Sequence, residues 1–413
     1  MSIKTKFLKL LQARRVHNRI KRKNKKNKAL RFCSLTALFI SLGSPICILF
    51  SILINSYGAL TTTKILLPIE ISADFRLDGD IRYKSIKLLS NSLHKVFKGA
   101  DFTDSDEILS RNSHKELEKF LHRKTEGGGK YEVWLTASSM INSINKGNYK
   151  DDHYSALLDC LKKQERVKKV FNKSLFIKSD SREPENAGIL GALIGSLMAI
   201  IVCLALALPI GIMSGICLYE LMNKNRLITN ILEISINNLA AVPSIIFGVV
   251  GLTLYLGMLG LPRSSPLVGG MTLSFMMLPN IIIATRNAFA SVPIAIKNAA
   301  FALGAPHIKV IFDHSLPIAL PRIIHGTVLA TARVLGESSP LLMIGMVAFI
   351  ADTPTSFFDP ATVLPVQIYI WSSSPEIAFV ELAAIAIIAL LLILFALNLV
   401  ANFVKRKFEF FNF

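Results

Sequence analysis

From Phe32 to Tyr57 the chain runs 26 residues without a charged side chain, and from Gly188 to Tyr219 it runs 32 more. Runs of that length match the needs of a bilayer: a hydrocarbon core about 30 Å thick takes roughly 20 apolar residues in helix, because unpaired backbone groups in lipid cost several kcal/mol each. Four further segments qualify: Ile234 to Pro262, Leu267 to Thr285, Pro317 to Ile350, which carries Arg322, Arg333 and Glu337, and Ile377 to Val404. The sequence therefore predicts an all-α polytopic membrane protein with six transmembrane helices. A composition that is 52% hydrophobic and 18% charged excludes a disordered or simply soluble chain.

Charge sets the orientation. Residues 1–31 hold 13 Lys and Arg and no acid, whereas 59–187 hold 23 basic against 19 acidic residues and 188–413 hold 11 against 9. The positive-inside bias places the basic tail 1–31 in the cytoplasm, with the 32–57 span retained as an anchor. Its apolar run is too long for a signal peptide and ends without a small-residue cleavage site. The loop at Lys224 and Arg226, the loop with Lys297 and Lys309, and Lys405 to Lys407 then also fall inside. The loops near Arg263 and from Ala351 to Glu376 fall outside and carry almost no Lys or Arg. The tail itself, with Ile3, Phe7, Leu10 and Leu11 on one helical face among basic residues, reads as a topogenic, lipid-binding segment rather than a nucleic-acid arm.

Residues 59–186 form an inserted extracytoplasmic α+β domain between the first and second spans. Lys64 to Ser72 and Tyr131 to Thr136 predict strands; Ser85 to Phe97, Glu107 to His122 and Tyr154 to Phe171 predict helices. Gly127 to Gly129 mark a break, and Gly127-Gly128-Gly129-Lys130 is a turn rather than a phosphate loop, since Tyr131 stands where Ser or Thr is required. No other nucleotide-binding fingerprint, metal-ligand spacing or disulfide framework is present, and the five cysteines are scattered. No catalytic residue, metal or cofactor is assigned, and any energised work needs a second chain.

Between the fourth and fifth spans lies Lys297-Asn298-Ala299-Ala300-Phe301-Ala302-Leu303-Gly304-Ala305, continuing to Ser315-Leu316-Pro317. The alanines make a slim helix surface, Gly304 permits a chain reversal and Pro306 prevents simple continuation. On composition alone this is either a solvated connector or a surface for docking into a partner's groove. Gly191 with Gly195, and Gly211 with Gly215, make small-residue pairs suited to close helix packing. Pro243, Pro279 and Pro340 predict interruptions of the third, fourth and fifth spans. Arg333 and Glu337, inside a span and four residues apart, predict one shared helix face. Such intramembrane charges serve either as a neutralised structural pair or as functional groups.

The segment resembles the E-A-A, three residues, G, nine residues, I, one residue, L-P loop of ABC importer permeases: Asn298-Ala299-Ala300, Gly304, Leu316 and Pro317 fall in register. Asn298 replaces the Glu and His314 the Ile. Four stretches, Leu208 to Ile216, Ala241 to Gly248, Leu278 to Arg286 and Ala332 to Leu342, further resemble the PstA family, the permease subunits of bacterial phosphate importers. The resemblance covers roughly Gly188 to the C-terminus. It implies a type I ABC importer permease core over 188–413 with five of the spans, non-catalytic, in the bacterial inner membrane.

The resemblance also implies a homologous permease subunit (PstC-like), an ATPase subunit dimer (PstB-like) docked near 297–317, an extracytoplasmic phosphate-binding protein (PstS-like) and inorganic phosphate as substrate. Arg333 then suits the phosphate oxygens and Glu337 the proton that phosphate keeps near neutral pH. Arg286 is an exit-side counterpart or a snorkelling anchor. A permease for another oxyanion, a stand-alone anion channel and a membrane-bound sensor are the competing readings. Four spans beyond the sensor-like beginning count against the last, and a docking loop counts against a channel.

Overall fold

The computed structural model describes residues 3–71, 81–97, 108–123, 129–221 and 226–409, with little beyond the backbone before residue 30. Gly127, Gly128 and the tail side chains Ile3, Phe7, Leu10 and Leu11 lie outside the described residues. The chain divides into two units, Met1–Ile54 and Asn55–Phe413. The first consists of helix α1, which runs Ile3–Ala59 and so ends five residues into the second unit. Its segment Lys26–Ala59 is long and apolar enough to cross a membrane.

In the second unit, strand β1 (Thr61–Ile71) is central to a three-stranded antiparallel sheet, flanked by β2 (Gly129–Thr136) and β3 (Val167–Phe171). Alternation directs Ile65, Leu67 and Ile69 to one face, all fully buried. Leu89 and Leu93 of α2 (Ile81–Val96), Leu117 and Leu121 of α3 (Ser113–Arg123), Ile141 of α4 (Ser139–Lys146), and Leu158 and Leu161 of α5 (Asp152–Lys163) complete that core. Pro68 is tolerated in β1 because β3 pairs only as far as Ile65.

Two sequence expectations fail in this sheet and its helices. The helix over Tyr154 to Phe171 stops at Lys163, Glu165 takes a positive φ of 57°, and Val167–Phe171 becomes β3. The β-branched and aromatic side chains of that stretch take the open edge of β1, an opportunity no local pattern reveals. The helix expected from Glu107 starts only at Ser113, because Leu109 forms an isolated bridge with Ala137.

A strap containing α6 (Ser174–Ile177) leads into α7 (Leu190–Ile216). Along α7 every fourth residue from Gly191, through Gly195, Ala199, Cys203, Ala207 and Gly211 to Gly215, is small and buried. The two glycine pairs read from sequence are the ends of one stripe. Against its C-terminal end packs α10 (Pro266–Ala290), so closely that a Cβ at Gly215 would lie 2.6 Å from Thr285 Cβ. Small residues allow this approach, which substitutes for the hydrophobic drive that lipid removes.

The interruptions expected at Pro243 and Pro340 are present, and the one expected at Pro279 is not. The third span is a bent pair, α8 (Arg226–Ala240) and α9 (Ser244–Gly251), the latter continuing as π-helix to Met258, with a 94° turn ahead of Pro243. Pro243, with no N–H, cannot carry the helix on and caps α9. The fifth runs from His307 through α13 (Leu316–Leu335) and ends at Gly336, after which α14 (Ser339–Met343) starts afresh. Pro279 does not interrupt α10, which is continuous through it. Among the described residues five helices, or six spans with the bent pair, are long and apolar enough to cross a membrane. The last is α16 (Ile377–Glu409), preceded by α15 (Leu364–Ser372), a largely buried helix within the stretch from Ala351 to Glu376 that the charge pattern assigns to an outside loop.

Candidate functional site

The segment between α10 and α13 folds as a short helix, α11 (Ile294–Ala302), capped by Pro293. Gly304 adopts φ +82°, the left-handed conformation that glycine alone enters without cost, and the Ala305 N–H turns back to the Ala300 carbonyl at 3.1 Å. Pro306 then caps α12 (His307–Lys309), so the chain re-enters a helix about ten residues before Leu316 and Pro317, not at them. Leu316 joins a cluster with Ile216 of α7, Phe289 of α10 and Ile323 of α13.

The residues matched to the loop pattern divide by exposure. Ala300 is buried, while Asn298, Ala299, Phe301 and Gly304 face out and Leu303 is 89% exposed. His314 is exposed. Lys297 forms a nearly buried ion pair with Glu220, just beyond α7, and its ammonium lies 4.7 Å from the centre of the Tyr219 ring. The small protruding element is thus latched to the end of the second span. Glu220 was not singled out from sequence, although an acid directly ending an uncharged run of 32 residues signals a partner.

Arg286 pairs with Glu233 of α8 at 2.6 Å, both side chains part-exposed. Its charge is answered by another span of the same chain. Arg333 lies in the last turn of α13, not mid-span, and is exposed. Among the described residues its guanidinium has neither hydrogen bond nor ion pair. Glu337 lies past the Gly336 cap, held by its own N–H to the Val334 carbonyl at 3.2 Å. The expected shared helix face is therefore overturned: the helix ends between the two residues, and no ion pair joins them. Among the described residues no hydrogen bond or ion pair joins any two of Arg286, Arg333 and Glu337.

An apolar cavity of about 440 Å³ lies between α7, α13 and α16, lined by residues such as Leu208, Ile324, Thr331 and Leu397. It holds no charge and is unsuited to an anion. A further ion within a span is Glu381 of α16, 5% exposed. It accepts hydrogen bonds from Lys146 Nζ at 2.8 Å and from the Asn148 amide. The cost of an acid within a span was the signal that could have identified it.

Residues 207–410 match the family described as binding-protein-dependent transport system inner membrane component, and residues 17–154 match a domain of unknown function (DUF3333). The chain is 30% identical over 218 residues to phosphate transport system permease protein PstA 1 of Mycobacterium tuberculosis (strain CDC 1551 / Oshkosh), covering 53% of this chain and 70% of that relative. It is 30% identical to PstA of Pasteurella multocida (strain Pm70), covering 54% and 79%, and 32% identical to PstA of Haemophilus influenzae, covering 49% and 70%. Among solved structures, an inward-facing MetNI methionine ABC transporter chain is similar at 16% identity and TM-score 0.42, covering 54% of this chain and 94% of that one.

Proposed function

The chain belongs to the PstA family of binding-protein-dependent transport system inner membrane components, and from that premise we propose that it is a permease subunit of an ATP-driven importer of inorganic phosphate. It forms half of a translocation path with a homologous permease, PstC-like. It receives phosphate from an extracytoplasmic binding protein, PstS-like, and couples to a separate, PstB-like ATPase dimer. It is not itself the ATPase. Both termini lie in the cytoplasm of a bacterial inner membrane, with 59–186 outside and 188–413 as the transporting core.

One observation carries the coupling role: α11 and the Gly304 reversal hold Ala299, Phe301 and Leu303 outward on a loop latched by Lys297 to Glu220. A solvated connector has no need to expose apolar residues on a fixed frame, whereas a groove in an ATPase does. The path role rests on Arg333. A guanidinium on a span, unpaired among the described residues, is costly against lipid and favourable where a second permease or an aqueous path meets it. Glu337, nearby but not bonded to it, leaves both groups free for a protonated oxyanion.

Purification from native membranes tests the assignment. The chain carries with it an ATPase and a second permease, and Ala299→Trp, a change on an exposed surface, loses the ATPase while keeping the second permease. Recovery of the unaltered chain alone contradicts the proposal.

A further inference from the structure

We infer that Phe171, Phe176 and Ile177, flanked by Lys169 and Lys173, form a foot with which the inserted domain rests on the headgroup layer of the bilayer and takes anionic phospholipid. The three apolar side chains are 53%, 46% and 67% exposed, although each lies within six residues of the fully buried Leu175. Helix α6 is a single turn, and it directs Leu175 alone into the cluster with Ala59, Ala187 and Ile189. Its neighbours Phe176 and Ile177 are turned outward. The Phe171 and Phe176 rings stack at 5.9 Å between centroids and 8° between planes, which holds two separate elements out as one surface.

Backbone hydrogen bonds set the height of this patch. The N–H of Asn172, next to Phe171, donates to the Leu60 carbonyl at 2.9 Å, one residue past the end of α1. The N–H of Ile189 donates to the Leu175 carbonyl at 2.9 Å, and Leu190, first in α7, donates to Lys178 at 3.2 Å. Phe171 and Phe176 are therefore pinned level with the last turn of one span and the first turn of the next. Tyr57 in that last turn of α1 is also exposed, as aromatic residues at membrane interfaces are. An apolar patch in water is a liability, and the same patch at this height is half-immersed among headgroups.

Charge identifies the headgroups. From Arg166 to Lys178 the chain carries five basic residues and no acid. Lys169 shares the sheet face of Phe171, two residues along β3, and Lys173 precedes α6; both are exposed. Lysine is depleted in the buried centres of protein interfaces and enriched beside anionic lipid, which favours a membrane over another subunit as the occupant.

The test uses the full chain with its co-purifying subunits in lipid nanodiscs, with the photoreactive p-benzoylphenylalanine at position 176 and, as control, at the exposed Lys130, which pairs with Glu70 at the end of β1 away from the spans. Illumination and mass spectrometry should find phospholipid adducts at 176 and not at 130, with about fivefold higher yield in phosphatidylglycerol than in phosphatidylcholine. Lys169→Gln/Lys173→Gln should remove the lipid preference while leaving the adduct. A crosslink from 176 to a protein subunit, or a yield no higher than at 130, overturns the foot. Equal yields in the two lipids overturn its anionic preference.

Discussion

Lys146, the last residue of α4, places its Nζ 2.8 Å from Oε2 of Glu381 in α16, with side chains only 9% and 7% exposed. The carboxylate also takes the Asn148 amide, and a Cβ at Gly58 would lie 2.5 Å from its carbon. The inserted domain, the end of the first helix and the last span thus meet at one carboxylate. Removing one partner of a buried pair costs about 3 to 5 kcal/mol, because the other ion is stranded, whereas removing both with apolar replacements can be neutral. Lys146→Met should therefore lower thermal stability and membrane abundance, and Lys146→Met/Glu381→Leu should recover most of the loss. If the double variant is no better than the single one, the pair is not what joins the domain to the span.

Orientation can be read with a side chain already present. Cys160 of α5 is a free, exposed thiol, and Cys203 is buried in α7. An impermeant maleimide should label Cys160 in intact spheroplasts. A cysteine at the exposed Leu303 should react only after the membrane is opened. Labelling of Leu303→Cys first would reverse the orientation inferred from charge.

What was legible in the sequence was what local chemistry determines. Uncharged length announced the spans, and alternation through Ile65, Leu67 and Ile69 announced the strand. The Gly304 turn followed from glycine before proline. What depends on distant partners was hidden. Val167–Phe171 is a strand only because Thr61–Ile65 offers an edge, and the pattern of α5 gave no reason to stop the helix. Arg286 looked like a path residue until Glu233, 53 positions earlier, supplied a partner. Arg333 and Glu337 looked like neighbours because an unbroken helix was assumed. The run Gly336-Glu337-Ser338-Ser339-Pro340 breaks it at Gly336.

That break changes how the two charges behave under substitution. With no bond between them, Arg333→Gln strands no partner and should leave membrane levels near those of the unaltered chain. Phosphate uptake should be lost, because the anion loses its guanidinium. Arg333→Gln/Glu337→Gln should then be as inactive as Arg333→Gln, since sites without a shared bond do not compensate one another. Arg286→Glu/Glu233→Arg, by contrast, should restore part of the uptake that Arg286→Glu abolishes. Uptake measured with labelled phosphate, beside immunoblots of membrane fractions, decides each case. Rescue in the Arg333 double variant would mean that the two charges pair in a working state.

The strap before α7 carries a pH dependence of definite sign. Glu185 is 7% exposed, and its Oε2 has no hydrogen-bond partner among the described residues. Burial, aided by the charges of Glu183 and Glu376, raises its pKa from 4.5 to about 7, against the opposing bonds from its own N–H and from Ser110. Burial also raises the Asp180 carboxyl, which accepts the Trp371 indole N–H. For an acid with a raised folded pKa, the folded chain holds the proton more tightly than the unfolded one. Stability is then greatest below the unfolded pKa and falls as pH rises through the folded one. The window for Glu185 is pH 4.5 to 7, and a shift of that size corresponds to roughly 3 kcal/mol. Glu185→Gln keeps the shape and removes the proton, so its thermal midpoint should fall less between pH 5 and pH 7.5 than that of the unaltered chain. Its gain should be largest at pH 7.5, and identical slopes for the two proteins would mean that Glu185 is ionised in the fold at low pH.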